Sequence, residues 1–289
     1  MYRSYDQAAL DAQYNMRLRH PDFQHYFDRY EQESERVRRT LPCRLDVPYG
    51  DKPGEKLDVF PAPQTNASIQ LFIHGGYWQA LDKSSHSFVA EPLVAAGCTV
   101  VVVNYTLAPE AHMDEIVRQN RKALAWTYHN ASAFNGDSSQ IYISGHSAGG
   151  HLVAMMMATD WTAERDLPFD LIKGGCAISG LFDLEPIRLC YLNEALGMDE
   201  EAARQNSPIY HLPTGGGPII VAVGAIETEE LFRHSAEYAA ALKEKGYPHE
   251  YMVLPDLNHF GIIQELGKAN SPLTQTMLKQ MSKLPSIKS

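Results

Sequence analysis

The 289-residue chain predicts a single α/β domain: a mainly parallel central sheet with helices on both faces. Three observations point there. Short apolar runs alternate with stretches of helical periodicity, the pattern of repeated strand–helix–strand units. One run, Thr99-Val100-Val101-Val102-Val103, is β-branched throughout and bounded by Gly97 and Asn104, so it belongs mid-sheet, buried on both faces. A glycine-flanked turn, Gly145-His146-Ser147-Ala148-Gly149, joins another such run directly to a helical stretch.

In chain order, residues 1–40 are charged, with Tyr26, Phe27 and Tyr30 at helical spacing. They read as an amphipathic helical arm, which either covers a sheet edge or forms a wall or lid over a pocket. Strands are expected at Leu57–Phe60, Ile69–Ile73, Thr99–Val103, Ile141–Ser144, Cys176–Ser179, Ile219–Val223 and Tyr251–Leu254. Helices are expected at Asp114–Asn130, His151–Trp161 and Glu229–Lys245, with one more after residue 260. Residues 181–213 break the alternation and carry Pro186, Gly197, Pro208 and Pro213. They read as a small, cap-like helical insertion over the sheet top. No repeat or low-complexity tract divides residues 1–289, so one domain is expected.

Hydrophobic residues make up 44% and charged residues 21% of the chain, ample for a packed core. The net charge of −10 repels phosphate backbones and anionic bilayers, which argues against nucleic-acid or membrane partners. Cys43, Cys98, Cys176 and Cys190 form no CxxC pair, and reduced thiols are expected. The polar start, Met1-Tyr2-Arg3-Ser4-Tyr5-Asp6, lacks the apolar stretch of a signal peptide. A soluble, cytoplasmic protein is the expectation.

Gly145 to Gly149 matches the G-x-S-x-G nucleophile elbow, here between a strand and a helix as that motif requires. Glycines are needed where Cβ atoms would crowd the turn. Ser147 is the candidate nucleophile, and a helix N-terminus beside it favours developing negative charge. His74-Gly75-Gly76-Tyr77-Trp78 follows a strand and can supply N–H donors to an oxyanion, together with the N–H after the nucleophile. The donors are assigned as Gly76, Tyr77 and Ala148, with His74 expected to hold the loop. Tyr77, Trp78, His146 and Phe260 are the candidate pocket walls. Elbow geometry should point His146 into the fold, and neither His146 nor His151 is read as the base.

A serine hydroxyl needs a base. Of the twelve histidines, His259 stands out because Leu257-Asn258-His259-Phe260 follows the last strand, which fits the chain order Ser, acid, His. The acid should follow Ile219–Val223, where the chain reads Gly224-Ala225-Ile226-Glu227-Thr228. Glu227 is chosen; Asp256 is its rival, and Asp183 reads as structural. No HExxH and no GxGxxG after the first strand occur, so no metal or cofactor is expected.

These motifs carry a resemblance. His74 to Trp78 resembles the HGG-x-W motif of kynurenine formamidases (arylformamidases) and related bacterial esterases. Tyr105-Thr106-Leu107-Ala108-Pro109-Glu110 is similar to the Y-x-LAPE stretch of hormone-sensitive-lipase-like esterases. Gly145 to Leu152, Ser179 to Pro186, Asn206-Ser207-Pro208 and His259-Phe260 resemble formamidase segments in the same order. The resemblance runs from about residue 45 to the C-terminus and implies an α/β-hydrolase fold. One departure stands out: the formamidases carry Asp where this chain has Glu227, whereas esterase-like bacterial relatives carry the G-x-x-E-T form. The resemblance therefore implies a serine hydrolase of small carboxylic esters or aryl formamides. A dedicated N-formylkynurenine formamidase is the alternative. An amide, carbamate or lactone hydrolase and a non-catalytic receptor on the same fold stand behind these. A small-molecule substrate is the expected partner, and the arm is available for a homodimer contact.

Overall fold

The computed structural model describes residues 2–163 and 166–282. Three helices come first: α1 (Gln7–Tyr14), α2 (Met16–Arg19) and α3 (Phe23–Thr40). The strands are β1 (Arg44–Pro48), β2 (Lys56–Phe60), β3 (Ala67–Ile73), β4 (Thr99–Val103), β5 (Gly136–His146), β6 (Ile172–Ile178), β7 (Ile219–Gly224) and β8 (His249–Leu254). Between and after them lie α4 (Ala90–Ala95), α5 (Met113–Asn130), α6 (Ala148–Met157), α7 (Glu185–Leu189), α8 (Asn193–Leu196), α9 (Glu200–Gln205), α10 (Glu229–Glu244) and α11 (Pro272–Gln280).

The strands form one sheet in the order β1-β2-β4-β3-β5-β6-β7-β8. β1–β2 and β2–β4 are antiparallel; every later pair is parallel. The alternation of side chains across a strand divides the core in two. Val101 and Val103 enter the apolar layer shared with α5, α6 and α10, while Val100 and Val102 enter the layer shared with α3, α4 and α11. Every residue of β4 is thus buried, as its β-branched composition predicts. Registers such as Ile73 opposite Gly145 and Gly224 opposite Leu254 keep the carboxyl ends of the strands nearly level. The loops leaving those ends therefore meet on one edge of the sheet.

The structure departs from the sequence reading in several places. The helical arm is divided into three helices, and Asn15 makes the first break: it ends α1 and caps α2, its side chain accepting from Leu18 N–H. β1 was not expected; it is an exposed edge with little apolar signal. The stretch Lys83–Ala95 is helical. The helix expected at His151–Trp161 starts earlier, at Ala148, and ends at Met157. β8 is an edge strand with Tyr251 and Val253 exposed, although its apolar run resembles a buried strand. All four cysteines are free. No helix among the described residues is long and apolar enough to cross a membrane.

His151, on α6, is buried edge-on against Trp78 with ring centroids 5.0 Å apart, and its Nε2–H donates to the Asn206 carbonyl at 2.7 Å. Burial pushes its pKa down to about 4. An unfolded histidine titrates near 6.5, so between pH 6.5 and 4 the unfolded state takes up a proton that the folded state refuses. Stability from this site is complete above about pH 6.5 and falls as the pH drops, by about 1.4 kcal/mol per pH unit. His151→Phe removes the hydrogen bond and should cost about 1–3 kcal/mol at neutral pH. Urea unfolding at about pH 7.5 and about pH 5 should show the gap to wild type narrowing by about 2 kcal/mol at the lower pH. An unchanged gap would mean that His151 protonates freely in the fold.

Candidate active site

β5 runs into a turn at Ser147, whose backbone has φ 57° and ψ −119°, sparsely populated for any residue with a Cβ. Close packing around the turn explains its glycines. A Cβ on Gly145 would lie 2.4 Å from the Gly149 carbonyl oxygen, and one on Gly149 would lie 2.0 Å from that of Ile73. Ser147 N–H donates to the Ile178 carbonyl at 2.8 Å, and the Ser147 carbonyl accepts from His151 N–H at 3.1 Å. Ser147 Oγ is thereby set at the N-terminus of α6, on the floor of a cleft of about 400 Å³.

The His259 imidazole reaches the same point. Its Nδ1–H donates to Glu227 Oε2 at 2.7 Å, and its Nε2 lies 3.0 Å from Ser147 Oγ. The carboxylate sets the tautomer, so Nε2 presents a lone pair to the serine hydroxyl. Glu227 is itself fixed: its Oε1 accepts from Ser179 Oγ at 2.5 Å and from Gly224 N–H at 2.9 Å. Its position has a local origin. Thr228 caps α10, its hydroxyl accepting from Leu231 N–H, which leaves Glu227 in the tight turn leaving β7. Asp256 is exposed, in a positive-φ turn after β8. Asp183 accepts from Tyr2 and from Glu185 N–H.

The loop after β3 is left-handed at three successive residues, Gly76 (φ 105°), Tyr77 (φ 50°) and Trp78 (φ 58°). A Cβ on Gly76 would meet the Ala80 carbonyl oxygen at 2.1 Å. The N–H groups of Gly76, Tyr77 and Ala148 have no protein acceptor among the described residues. His74 holds the loop: its ring bridges the Gly75 carbonyl (2.7 Å) and Asn104 Oδ1 (3.0 Å) and stacks on Tyr105 at 4.5 Å. Tyr77 lines the cleft and donates its hydroxyl to the Tyr14 carbonyl at 2.8 Å.

Trp78 is not a cleft wall. The turn directs its indole into the core, fully buried against His151. His146 does line the cleft, its ring 4.6 Å from that of His259, and burial holds it neutral. Phe260 lines the cleft as expected, with its carbonyl accepting from the Tyr30 hydroxyl. The sequence reading expected the 181–213 insertion at the pocket and offered the arm as a pocket wall, but assigned none of their residues to the lining; Met16 and Arg17 of the arm and Tyr191 and Leu192 of the insertion line the cleft. The aromatic spacing of Phe27 and Tyr30 was the available signal; both face the cleft. It also missed Ser179, whose place directly after β6 beside the elbow strand was a usable clue. Among the described residues no group of His, Cys, Asp or Glu is placed to hold a metal ion.

A sheet of this order, with a strained serine turn and a histidine loop at its carboxyl edge, defines an α/β hydrolase. A family model described as alpha/beta hydrolase fold matches residues 70–262. Kynurenine formamidase from Danio rerio is 39% identical over 257 residues, which cover 86% of each chain. Esterase LipC from Mycobacterium tuberculosis is 28% identical, over 76% of this chain and 60% of its own. The crystal structure of a candidate thioesterase from Silicibacter sp. TM1040 superposes with a TM-score of 0.82 at 30% identity, covering 92% of this chain and 97% of that one. The chain belongs to the alpha/beta hydrolase fold family, as a homologue of the kynurenine formamidases, and it is a hydrolase.

Two carboxylates compete for the imidazole in the sequence, and kinetics separate them. Ser147→Ala should lower kcat by about 10⁴-fold or more with an unchanged urea midpoint. Glu227→Gln should cost roughly 10⁴-fold, and Asp256→Asn should leave kcat near wild type. An active Glu227→Gln enzyme beside an inactive Asp256→Asn enzyme would reverse the assignment.

Proposed function

We propose that this protein hydrolyses small carboxylic esters and aryl formamides through an acyl-enzyme on Ser147. The observation that carries the reading is the unbroken hydrogen-bond line from Glu227 through His259 to Ser147.

Ser147 Oγ attacks the carbonyl carbon while its proton passes to His259 Nε2, and Glu227 stabilises the imidazolium that forms. The carbonyl oxygen becomes an oxyanion facing the N–H groups of Gly76, Tyr77 and Ala148. In such sites each donor is worth about 3 kcal/mol of transition-state stabilisation. Collapse breaks the bond to the leaving alcohol or arylamine, which departs with the proton held on His259. Water then gives a proton to His259 and its oxygen to the acyl carbon. The acyl–Oγ bond then breaks, His259 returns its proton to Ser147 Oγ, and the carboxylic acid leaves (formic acid from a formamide).

Substrate size follows from the cleft. Phe27, Tyr30, Tyr191 and Phe260 give it aromatic walls, which suit an aryl group stacked or edge-on. An aryl ester and an aryl formamide share that shape. The second reading, a dedicated N-formylkynurenine formamidase, is favoured by the 39% identity to that enzyme in Danio rerio against 28% to the mycobacterial esterase.

N-formyl-L-kynurenine and a short-chain p-nitrophenyl ester should be compared side by side. We expect both to be cleaved, the better one with kcat/KM above roughly 10⁴ M⁻¹s⁻¹. Cleavage of the formamide alone would select the second reading, and cleavage of neither would overturn the proposal.

A further inference from the structure

We propose that Arg17 makes the cleft selective for substrates that carry a carboxylate on the part furthest from the scissile carbonyl. The proposal rests on the hydrolase reading above and adds the chemistry of the outer half of the substrate.

The lining of the cleft is unusual in its charges. Among the described residues around it there is no Asp or Glu, and Arg17 is the one Lys or Arg side chain. Three histidines also face it. Burial holds His146 well below its ordinary range and His86 down at about 3, so neither supplies a cation at working pH. His259 is engaged by Glu227. The full positive charge of the cleft is therefore the guanidinium of Arg17.

That guanidinium is uncommitted. Arg36, Arg118, Arg188 and Arg233 each hold a carboxylate within 3 Å, but Arg17 makes no ion pair among the described residues. It stands instead over the rings of Phe23 (5.3 Å) and Phe27 (5.9 Å), an arrangement that holds the plane in place and leaves its N–H groups to a ligand. It also acts on Tyr191 of the same cleft: its field favours ionisation of that hydroxyl, against the burial and the neighbouring Cys190 and Asp11 that raise it.

Depth fixes which part of the substrate it meets. Ser147 is 3% exposed, at the floor, whereas Arg17 is exposed, at the mouth. A ligand with its carbonyl at Ser147 and its ring lying on the wall that Phe27 and Phe260 form together, their own rings in edge contact at 5.5 Å, presents its outer substituent to Arg17. A carboxylate there can accept two parallel N–H bonds. The net charge of −10 works against an anion at long range, but salt screens it beyond about 8 Å at physiological ionic strength. A contact ion pair in the cleft survives that screening.

The test uses matched aryl acetates: 3- and 4-acetoxybenzoate against the corresponding carboxamides, which are neutral and nearly isosteric. In wild type the carboxylates should have the higher kcat/KM. Arg17→Gln should lower the carboxylate-to-carboxamide ratio by about tenfold, mainly through KM, and leave the carboxamide rates within about twofold. Arg17→Lys should keep part of the preference. Calorimetric binding of the products, hydroxybenzoate against hydroxybenzamide, reads the same contrast without turnover. Loss of hydrolysis with a retained, Arg17-dependent preference for hydroxybenzoate would sink the hydrolase reading alone. The same ratio in wild type and Arg17→Gln, in rates and in binding, would overturn the proposal.

Discussion

The turn at Ser147 is the constraint around which the molecule is arranged. A serine at φ 57° and ψ −119° costs about 1–3 kcal/mol relative to relaxed backbone, and the surroundings must over-determine it. They do so from three sides. β5 is hydrogen-bonded between β3 and β6 up to the turn, Ser147 N–H is held by Ile178, and α6 begins at the next residue. The absence of Cβ atoms on Gly145 and Gly149 lets the Ile73 and Gly149 carbonyls pack against the turn at distances a side chain would forbid. What is gained is a hydroxyl that cannot retreat into the core and a helix N-terminus behind it.

The rest of the site is delivered to that fixed point by loops held in place by buried hydrogen bonds. Glu227 has every close polar partner accounted for, between Ser179, Gly224 and His259. The histidine loop is braced twice: Asn258 Oδ1 accepts from the N–H groups of Phe260 and Gly261, and its amide donates to Tyr26 of α3. The arm is tied down by a buried chain. His234 Nδ1 accepts from Phe182 and Asp183 N–H, its Nε2 meets the Tyr14 hydroxyl at 3.0 Å, and Tyr14 donates to Glu230, which Arg233 neutralises. Removing one member of such a chain strands the others. The same Tyr14 offers its carbonyl to Tyr77, so the docking of the arm also braces the loop after β3.

Much of this was legible in the sequence, and the reasons are local. The β-branched run of β4, the glycines of the elbow and the place of Glu227 just after a strand each have a short-range cause that a linear reading captures. The geometry brings Ser147, Glu227 and His259 together because each leaves the carboxyl end of a strand in one sheet. What escaped had non-local or conformational causes. Trp78 beside Tyr77 reads as a second pocket aromatic, but three successive positive φ values reverse the chain and bury the indole. Residues 1–40 read as a helical arm without internal breaks marked, yet Asn15 divides it and lets Met16 and Arg17 reach a cleft set by distant strands. Tyr251 and Val253 look like core until the strand order makes β8 an edge.

The claim at the centre is that this one serine, among many, is made nucleophilic by its turn and its histidine. Reaction of the whole protein with a fluorophosphonate, followed by mass spectrometry of the peptides, tests it without assuming any substrate. One phosphonyl group per chain, on Ser147, lost when His259 is replaced by Ala, is the result expected. Labelling of another serine, or none at all in a folded protein, would contradict it.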